Sequence, residues 1–130
     1  GELAPVLATR GGDDPAEDSR MVPTRLLVGA HHALAASFEL GSVLAGAESM
    51  KGPSFPARRA DELLRESIGR AVQIVAFAST HTPAVIARDG VLFVNPGSPT
   101  LPTARGPSGL GTVARLTLSE RSAIAEIVQL

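Results

Sequence analysis

The sequence predicts a layered α/β fold built around a mixed β-sheet. Strand-like apolar segments alternate with helical ones in the first half of the chain, and two hairpins follow each other in the second half. Alternation of strands and helices is typical of parallel pairing, whereas hairpins pair antiparallel, so one sheet should contain both. The 130 residues suffice for one domain with a modest core. With four Phe and no Trp or Tyr, that core must consist mainly of Val, Leu, Ile and Ala.

The first half of the chain contains two predicted strands and one short predicted helix. Pro5 to Thr9 is an apolar run that ends in a glycine-rich, acidic turn, which indicates a buried strand. Thr24 to Val28 is the second strand. Ala33 to Leu40 is short and alanine-rich, so we expect a helix. Gly41 to Pro56 carries Gly, Ser and Pro without periodicity, and we expect a mobile or inserted loop there.

A longer helix and a central strand follow. Ala57 to Arg70 places Leu63 and Leu64 on an apolar face and charged residues on the other, with Gly69 near its end. This pattern predicts an amphipathic helix. Val72 to Ala78 is almost entirely apolar and predicts a central strand buried on both faces.

The last third of the chain predicts two hairpins. Ala84 to Arg88 and Val91 to Val94 are joined by Asp89-Gly90, the dipeptide that favours a type I′ turn. Gly111 to Leu118 and Ala123 to Gln129 form the second pair of strands. In total the sequence predicts about seven strands and two helices.

Composition excludes several classes of function. The formal net charge is −1 with acids and bases interspersed, so the sequence shows no basic patch that would bind nucleic acid or an anionic membrane. The absence of Cys excludes disulfides and a Cys-based zinc site. No apolar run approaches the length of about 20 residues that crosses a bilayer, and no signal-peptide pattern opens the chain. We therefore expect a cytoplasmic protein.

Two segments carry a family resemblance. A buried strand runs into Ala78-Ser79-Thr80-His81, and the strand after the first hairpin turn ends in Asn95-Pro96-Gly97-Ser98. Together they resemble the last motifs of calcineurin-like metallophosphoesterases of the small YfcE-like branch, in which these segments read Gly-His-Thr-His and Asn-Pro-Gly-Ser. The resemblance implies the layered α/β sandwich of that family. It begins at the third of the family's five metal motifs, so we expect the N-terminal strands of the fold to be missing from this chain.

The resemblance also assigns site residues. In the family, three residues bind the second metal and not the first. Their positions are occupied here by Gly12, Gly29 and Ser79, which offer no Asn or imidazole ligand. His81 keeps a first-metal position, and His31 keeps the second His of an earlier motif. The resemblance therefore implies one divalent metal, Mn, Zn or Mg, or none. Asp13 and Asp14 are further ligand candidates.

Each of these residues also has a purely structural interpretation. His81 can be a hydrogen-bonded histidine at a strand end, and Asp13 and Asp14 can be turn and helix-start residues. Gly97 would permit a strained turn, with Asn95 bonding the backbone locally. Ser98 lies in the same turn, where a substrate contact would be secondary. We place Gly12, Gly29, Ser79, Asn95 and Ser98 around the candidate pocket.

Two classes of function remain open. One is a degenerate member of the family, not a two-metal hydrolase, that acts through a binding or assembly surface by self-association or with a protein partner. The scaffold subunit of the retromer coat is such a member. The other is a metal-dependent phosphodiesterase or repurposed enzyme that binds a phosphate ester and takes metal ligands from a segment missing here. We favour the first, because Gly12, Gly29 and Ser79 replace ligands of one metal.

Overall fold

The computed structural model describes residues 8–10, 14, 17–18, 21–29, 31–48 and 53–130. The elements in chain order are β1 (Ala8–Thr9), β2 (Met21–Val22), β3 (Thr24–Val28), β4 (Ala33–Ser37), a 3₁₀ turn (Leu40–Ser42), α1 (Ala60–Ile68), β5 (Ile74–Ala76), β6 (Ala84–Arg88), β7 (Val91–Asn95), β8 (Thr112–Leu118) and β9 (Ala123–Gln129).

A five-stranded mixed sheet in the order β3-β4-β5-β7-β6 forms the centre of the fold. Strands β4, β5 and β7 are parallel, whereas β3 and β6 pair antiparallel with their neighbours. Strands β1 and β2 form a short parallel pair, and β8 and β9 form an antiparallel hairpin. The mixed sheet predicted from the sequence is confirmed.

Both faces of the central strand are buried. Ala35, Val75 and Phe93 are aligned across β4, β5 and β7 and are fully buried in one cluster with Leu63 and Leu64 of α1. Because successive residues of a strand point to opposite faces, the neighbour of Val75, Ile74, lies on the other face, where it too is 0% exposed. The predicted burial of the Val72 to Ala78 segment on both faces is confirmed, although β5 itself is shorter.

The second face is where the β8–β9 hairpin packs. Strand β9 contacts β6, and the far end of the hairpin reaches the turn between β3 and β4, where Nε2–H of His32 donates to the carbonyl oxygen of Ser119 at 2.7 Å. The central sheet therefore lies between α1 on one side and the hairpin on the other. This is the layered arrangement that the sequence predicts.

The two predicted hairpins and the longer helix are present. Asp89 and Gly90 have φ angles of 51° and 75°, as a type I′ turn requires. Helix α1 ends at Gly69, whose φ of 87° is left-handed. At the other end of α1, the Asp89 carboxylate accepts the Ala60 N–H at 2.8 Å. The hairpin turn thus caps the helix.

One predicted element is wrong. Ala33 to Leu40, expected as a helix, is strand β4 followed by a 3₁₀ turn. Its residues alternate between buried and half-buried, and it pairs with β3 on one side and β5 on the other. Two ladders of backbone hydrogen bonds outweigh the helix propensity of alanine, whose small side chain also fits under α1.

The remaining predictions concern segments that the structure describes in part. Strand β1 covers the end of the predicted strand Pro5 to Thr9, and the rest lies outside the described residues. In the Gly41 to Pro56 segment, Val43, Leu44 and Ala47 are buried in the core. The Ser67 hydroxyl also donates to the Val43 carbonyl oxygen at 2.6 Å. Mobility of this segment stays a prediction.

Candidate functional site

The candidate site lies at the carboxyl edge of the central sheet. Strands β4, β5 and β7 are parallel, so the residues that follow them meet at one edge. Phe77 N–H donates to the Val94 carbonyl oxygen and Ala78 N–H to that of Phe38, both at 3.0 Å. The chain after β5 therefore runs between the ends of its two parallel neighbours.

Asn95 holds this loop in place. Its side chain is buried at the end of β7, and Nδ2–H donates to the Ala78 carbonyl oxygen at 3.3 Å and to Thr80 Oγ1 at 2.9 Å. Its Oδ1 accepts the N–H of Gly97 at 3.0 Å, and Gly97 has a φ of 77°. The predicted local role of Asn95 and the need for glycine at 97 are confirmed.

Two residues of the loop have unusual backbone angles. Ser79 and His81 have φ angles of 71° and 59°, in the left-handed region that costs a non-glycine residue about 1 kcal/mol. Thr80 Oγ1 accepts the N–H of Thr82 at 3.2 Å, which helps to fix the turn. Strained non-glycine residues concentrate at functional sites. The loop that carries His81 is therefore the strongest candidate at this edge.

His31 and Gly29 lie at the opposite edge. Val28 pairs with Ala33, and Gly29 N–H donates to the His32 carbonyl oxygen at 2.8 Å, so Gly29, His31 and His32 lie in the turn where β4 begins. His81 instead follows the end of β5, which is parallel to β4. The length of a five-residue strand, about 16 Å, separates the two edges. One metal cannot bind both His31 and His81, which corrects our grouping of these residues.

Ser37 and Glu39 also lie at the carboxyl edge, although the sequence motifs did not indicate them. Because β4 is a strand, it carries the chain back to the carboxyl edge, where Ser37 is buried and Glu39 is exposed. These residues lie where we had expected Gly29 and His31. The signal that could have identified them is the short apolar run of β4, read as a strand that ends at Ser37.

The other candidate residues contribute little to a metal site. Asp14 is exposed, and Gly12 and Asp13 lie outside the described residues. Ser98 is half-buried, and its Oγ accepts the N–H of Leu101 at 3.0 Å. Within the part of the chain that the structure describes, no three His, Asp or Glu side chains are grouped so that they could hold a metal ion.

All three histidines of the chain are among the described residues, and only His81 is at the carboxyl edge. Its imidazole is exposed and makes no hydrogen bond within the described ranges. Ser79 offers a neutral hydroxyl, and the Ser37 hydroxyl donates to the Pro23 carbonyl oxygen at 3.4 Å. Imidazole and carboxylate are the ligands that Zn and Mn favour. Of the described side chains at this edge, His81 and Glu39 are of these kinds and the two serines are not, so they do not fit a pair of metal ions.

A second feature is an apolar groove at the opposite edge. Its volume is about 490 Å³, within the range of small-molecule sites. It lies between the β3–β4 turn and the tip of the β8–β9 hairpin. We call it the tip groove, and its lining residues are Leu27, Val28, Gly29, His31, His32, Leu34, Leu118, Ser119 and Glu120.

Comparison with protein families identifies the domain. The family model described as "Calcineurin-like phosphoesterase superfamily domain" matches residues 2–121. The chain belongs to that superfamily. The family that the Ser79–His81 and Asn95–Ser98 motifs suggested is thereby confirmed. No curated protein matches the sequence.

Several solved structures share the fold of this phosphoesterase domain. A predicted phosphoesterase from Streptococcus pneumoniae superimposes with a TM-score of 0.63 at 15% identity, over 93% of this chain and 60% of its own. Vps29 from Chaetomium thermophilum gives 0.57 at 15% identity, over 92% and 66%. Vps29 from Entamoeba histolytica, in a structure titled as its complex with zinc, gives 0.50 at 17% identity, over 92% and 66%. This phosphoesterase domain thus spans about 60–66% of these proteins.

None of the helices in the described residues of this phosphoesterase domain has the length and apolar character needed to cross a bilayer.

Proposed function

We propose that this phosphoesterase-fold domain is not a competent two-metal hydrolase and that it acts through a binding or assembly surface. The observation that carries the proposal is the separation of the histidines. His81 is at the carboxyl edge, and His31 and His32 are at the other. A two-metal site needs several imidazole and carboxylate ligands around a shared oxygen. The position beside His81 that would supply a second imidazole is Ser79.

Metal stoichiometry tests this proposal. Dialysed protein incubated with Mn²⁺ or Zn²⁺ at low micromolar concentration is expected to retain fewer than two ions per chain, because Gly and Ser side chains cannot replace Asn and imidazole ligands. Elemental analysis after gel filtration measures the ratio. His81→Ala should remove any single bound ion, and His31→Ala serves as the matched control at the opposite edge. Two stoichiometric ions per chain would contradict the proposal.

The second candidate function is a metal-dependent phosphodiesterase whose remaining ligands come from outside residues 1–130. The strained, Asn95-fixed loop that presents His81 favours it, as does the share of the compared structures that this chain covers. In that case the ligand is a phosphate ester and the cofactor one or more divalent ions. Hydrolysis of bis-p-nitrophenyl phosphate with Mn²⁺, assayed on a longer chain that includes the segment supplying those ligands, distinguishes the two. Turnover that His81→Ala abolishes would favour the enzyme.

The proposed binding role predicts self-association or a protein partner. In the described residues, β3 is an edge strand with Leu26, Leu27 and Val28 largely exposed. Exposed apolar edges template pairing with another chain. We expect sedimentation velocity of the 130-residue chain to show a weight-average mass that rises with concentration. A monomer that unfolds cooperatively at every concentration would show that the isolated chain needs no further contact.

The cytoplasm remains the proposed compartment of this phosphoesterase domain, on the sequence prediction alone.

A further inference from the structure

The connection between β7 and β8 is closed on itself at its base. The N–H of Gly111 donates to the carbonyl oxygen of Pro99 at 2.9 Å, so residues 99–111 leave the body of the domain and return to the same point. Beside this bond, the N–H of Thr112 donates to the Ser98 carbonyl oxygen at 3.3 Å, and Gly111 and Thr112 are buried. We call these four bonded residues the base. A surface loop of this length with adjoining ends is an Ω-loop, a type that is frequently functional.

The second half of the Ω-loop is fastened to the end of β9. The Gln129 side-chain amide donates to the carbonyl oxygens of Leu110 and Gly111 at 3.0 and 2.9 Å. The Ser108 hydroxyl donates to a main-chain oxygen of Leu130 at 2.7 Å. This half of the loop therefore cannot move without breaking several short hydrogen bonds.

The first half, residues 100–105, is attached more lightly, and we call it the strap. All of its residues except Pro102 are exposed. In the described part of the chain, its hydrogen bonds to residues outside the Ω-loop and the base all involve Thr103. The Thr103 N–H and hydroxyl donate to the His81 carbonyl oxygen at 3.4 and 3.5 Å, and the Thr82 hydroxyl donates to that of Thr103 at 3.1 Å. Exposed hydrogen bonds with little buried contact are typical of a segment that opens locally.

The strap contacts the chain after β5 at a strained residue. His81 has a φ of 59°, a conformation that a non-glycine residue keeps only where its surroundings hold it. Asn95 holds this loop from the side of β7 through Thr80. The Thr103 bonds go to His81 itself and to the residue after it, which lie beyond the hydrogen bonds of Asn95. Thr103 therefore supplies the second point of attachment of the loop.

We propose that the strap is a hinged latch, in which Thr103 fastens the strap to the loop after β5 and thereby keeps His81 in its left-handed conformation. When the strap swings away on its fixed base, His81 relaxes to a negative φ and its imidazole changes direction. The carboxyl edge then has a latched form and an open form. The inference concerns the conformation of this loop and does not depend on whether the edge binds a metal ion.

Thr103→Val tests the latch, because it removes the hydroxyl and leaves the backbone N–H in place. The open fraction should rise about three- to tenfold, as expected for the loss of about one net hydrogen bond. Amide exchange of residue 103, followed by NMR, should accelerate by that factor. The cross-peak between the amide and α protons of His81, which is strong at positive φ, should weaken. Thr100→Val is the matched control, since Thr100 is exposed in the same strap and makes no hydrogen bond with described residues.

A reversible cross-link tests the opposite change. The chain contains no Cys, so Thr82→Cys combined with Thr103→Cys introduces a single pair at positions whose side chains are in contact. Oxidation should join the pair and slow amide exchange of residue 103 about tenfold or more, and reduction should restore the faster rate. Thr82→Cys combined with Ser108→Cys is the control. Because Ser108 is fastened to the end of β9, this pair should stay reduced.

Equal behaviour of Thr103→Val and Thr100→Val would overturn the proposal, and so would failure of the cysteines at 82 and 103 to bond. Equal exchange in the oxidised and reduced forms would show that the strap does not open. If exchange at residue 103 accelerated in Thr103→Val while the His81 cross-peak kept its intensity, the strap would open without holding His81, and the proposal would fall as well.

Discussion

Replacing Ile74 with alanine is expected to lower the free energy of unfolding by about 2–5 kcal/mol. Ile74 lies in the middle strand of the central sheet and is 0% exposed, on the face away from α1. Its neighbours on that face are held by paired strands on both sides, so the cavity cannot collapse easily. With no Trp or Tyr in the chain, urea unfolding is best followed by far-UV circular dichroism.

Val85→Ala is the matched control for Ile74→Ala. Val85 aligns with Val94 and Ala76, so it lies on the same face as Ile74, but it is largely exposed on the edge strand β6. Its replacement should change the free energy of unfolding by about 0.5 kcal/mol. If the two variants lost the same stability, Ile74 would not be in a packed core and the layered arrangement would be in doubt.

Elements with local signals were predictable from the sequence. Asp89-Gly90 fixes a type I′ turn by its own backbone preferences, and the hairpin β6–β7 follows from it. Helix α1 has an apolar stripe and a glycine at its end, and both are visible without tertiary information. The family motifs at Ser79–His81 and Asn95–Ser98 were likewise continuous in sequence. In each case the residues that decide the structure are neighbours in the chain.

Elements decided by distant partners were not predictable. Ala33 to Ser37 has helix-forming residues but is a strand, because β3 and β5 pair with it on both sides. That one error also misplaced the candidate site. Treating the segment as a helix left Gly29 and His31 at the end of a strand facing the pocket. The observed strand β4 runs antiparallel to β3, so it carries the chain back to the carboxyl edge. Ser37 and Glu39 therefore lie at the pocket instead.

The candidate site shows the same division. Gly97 and the local bond from its N–H to Asn95 follow from the Asn-Pro-Gly-Ser sequence. The bonds from Asn95 to Ala78 and Thr80 cross from β7 to the chain after β5, and no sequence spacing indicates them. These two hydrogen bonds connect the family motif that contains Asn95 to the one that contains Thr80. Asn95 is therefore a positioning residue for the loop that carries His81.

Replacing Asn95 with alanine is expected to lower the free energy of unfolding by about 2–4 kcal/mol, since it leaves the Ala78 carbonyl and the Gly97 N–H without their partner at a buried position. The loop should also loosen. Its left-handed residues Ser79 and His81 would lose the contacts that hold them. Hydrogen exchange of the Ala78 to Thr82 amides, read by mass spectrometry, should become faster than that of the core strands.

Two variants separate the role of Asn95 from general damage to the turn. Thr80→Val removes the bond between Asn95 and the Thr80 hydroxyl and the bonds of that hydroxyl to Thr82, but it keeps the other two bonds of Asn95. It should cost about 1–2 kcal/mol, with faster exchange in the same loop. Ser98→Ala removes a bond to Leu101 in the same turn and should leave exchange of the Ala78 to Thr82 amides unchanged. If Asn95→Ala destabilised the protein but left exchange in that loop unchanged, Asn95 would support only its own turn. The connection between the two motifs would then be packing rather than hydrogen bonding.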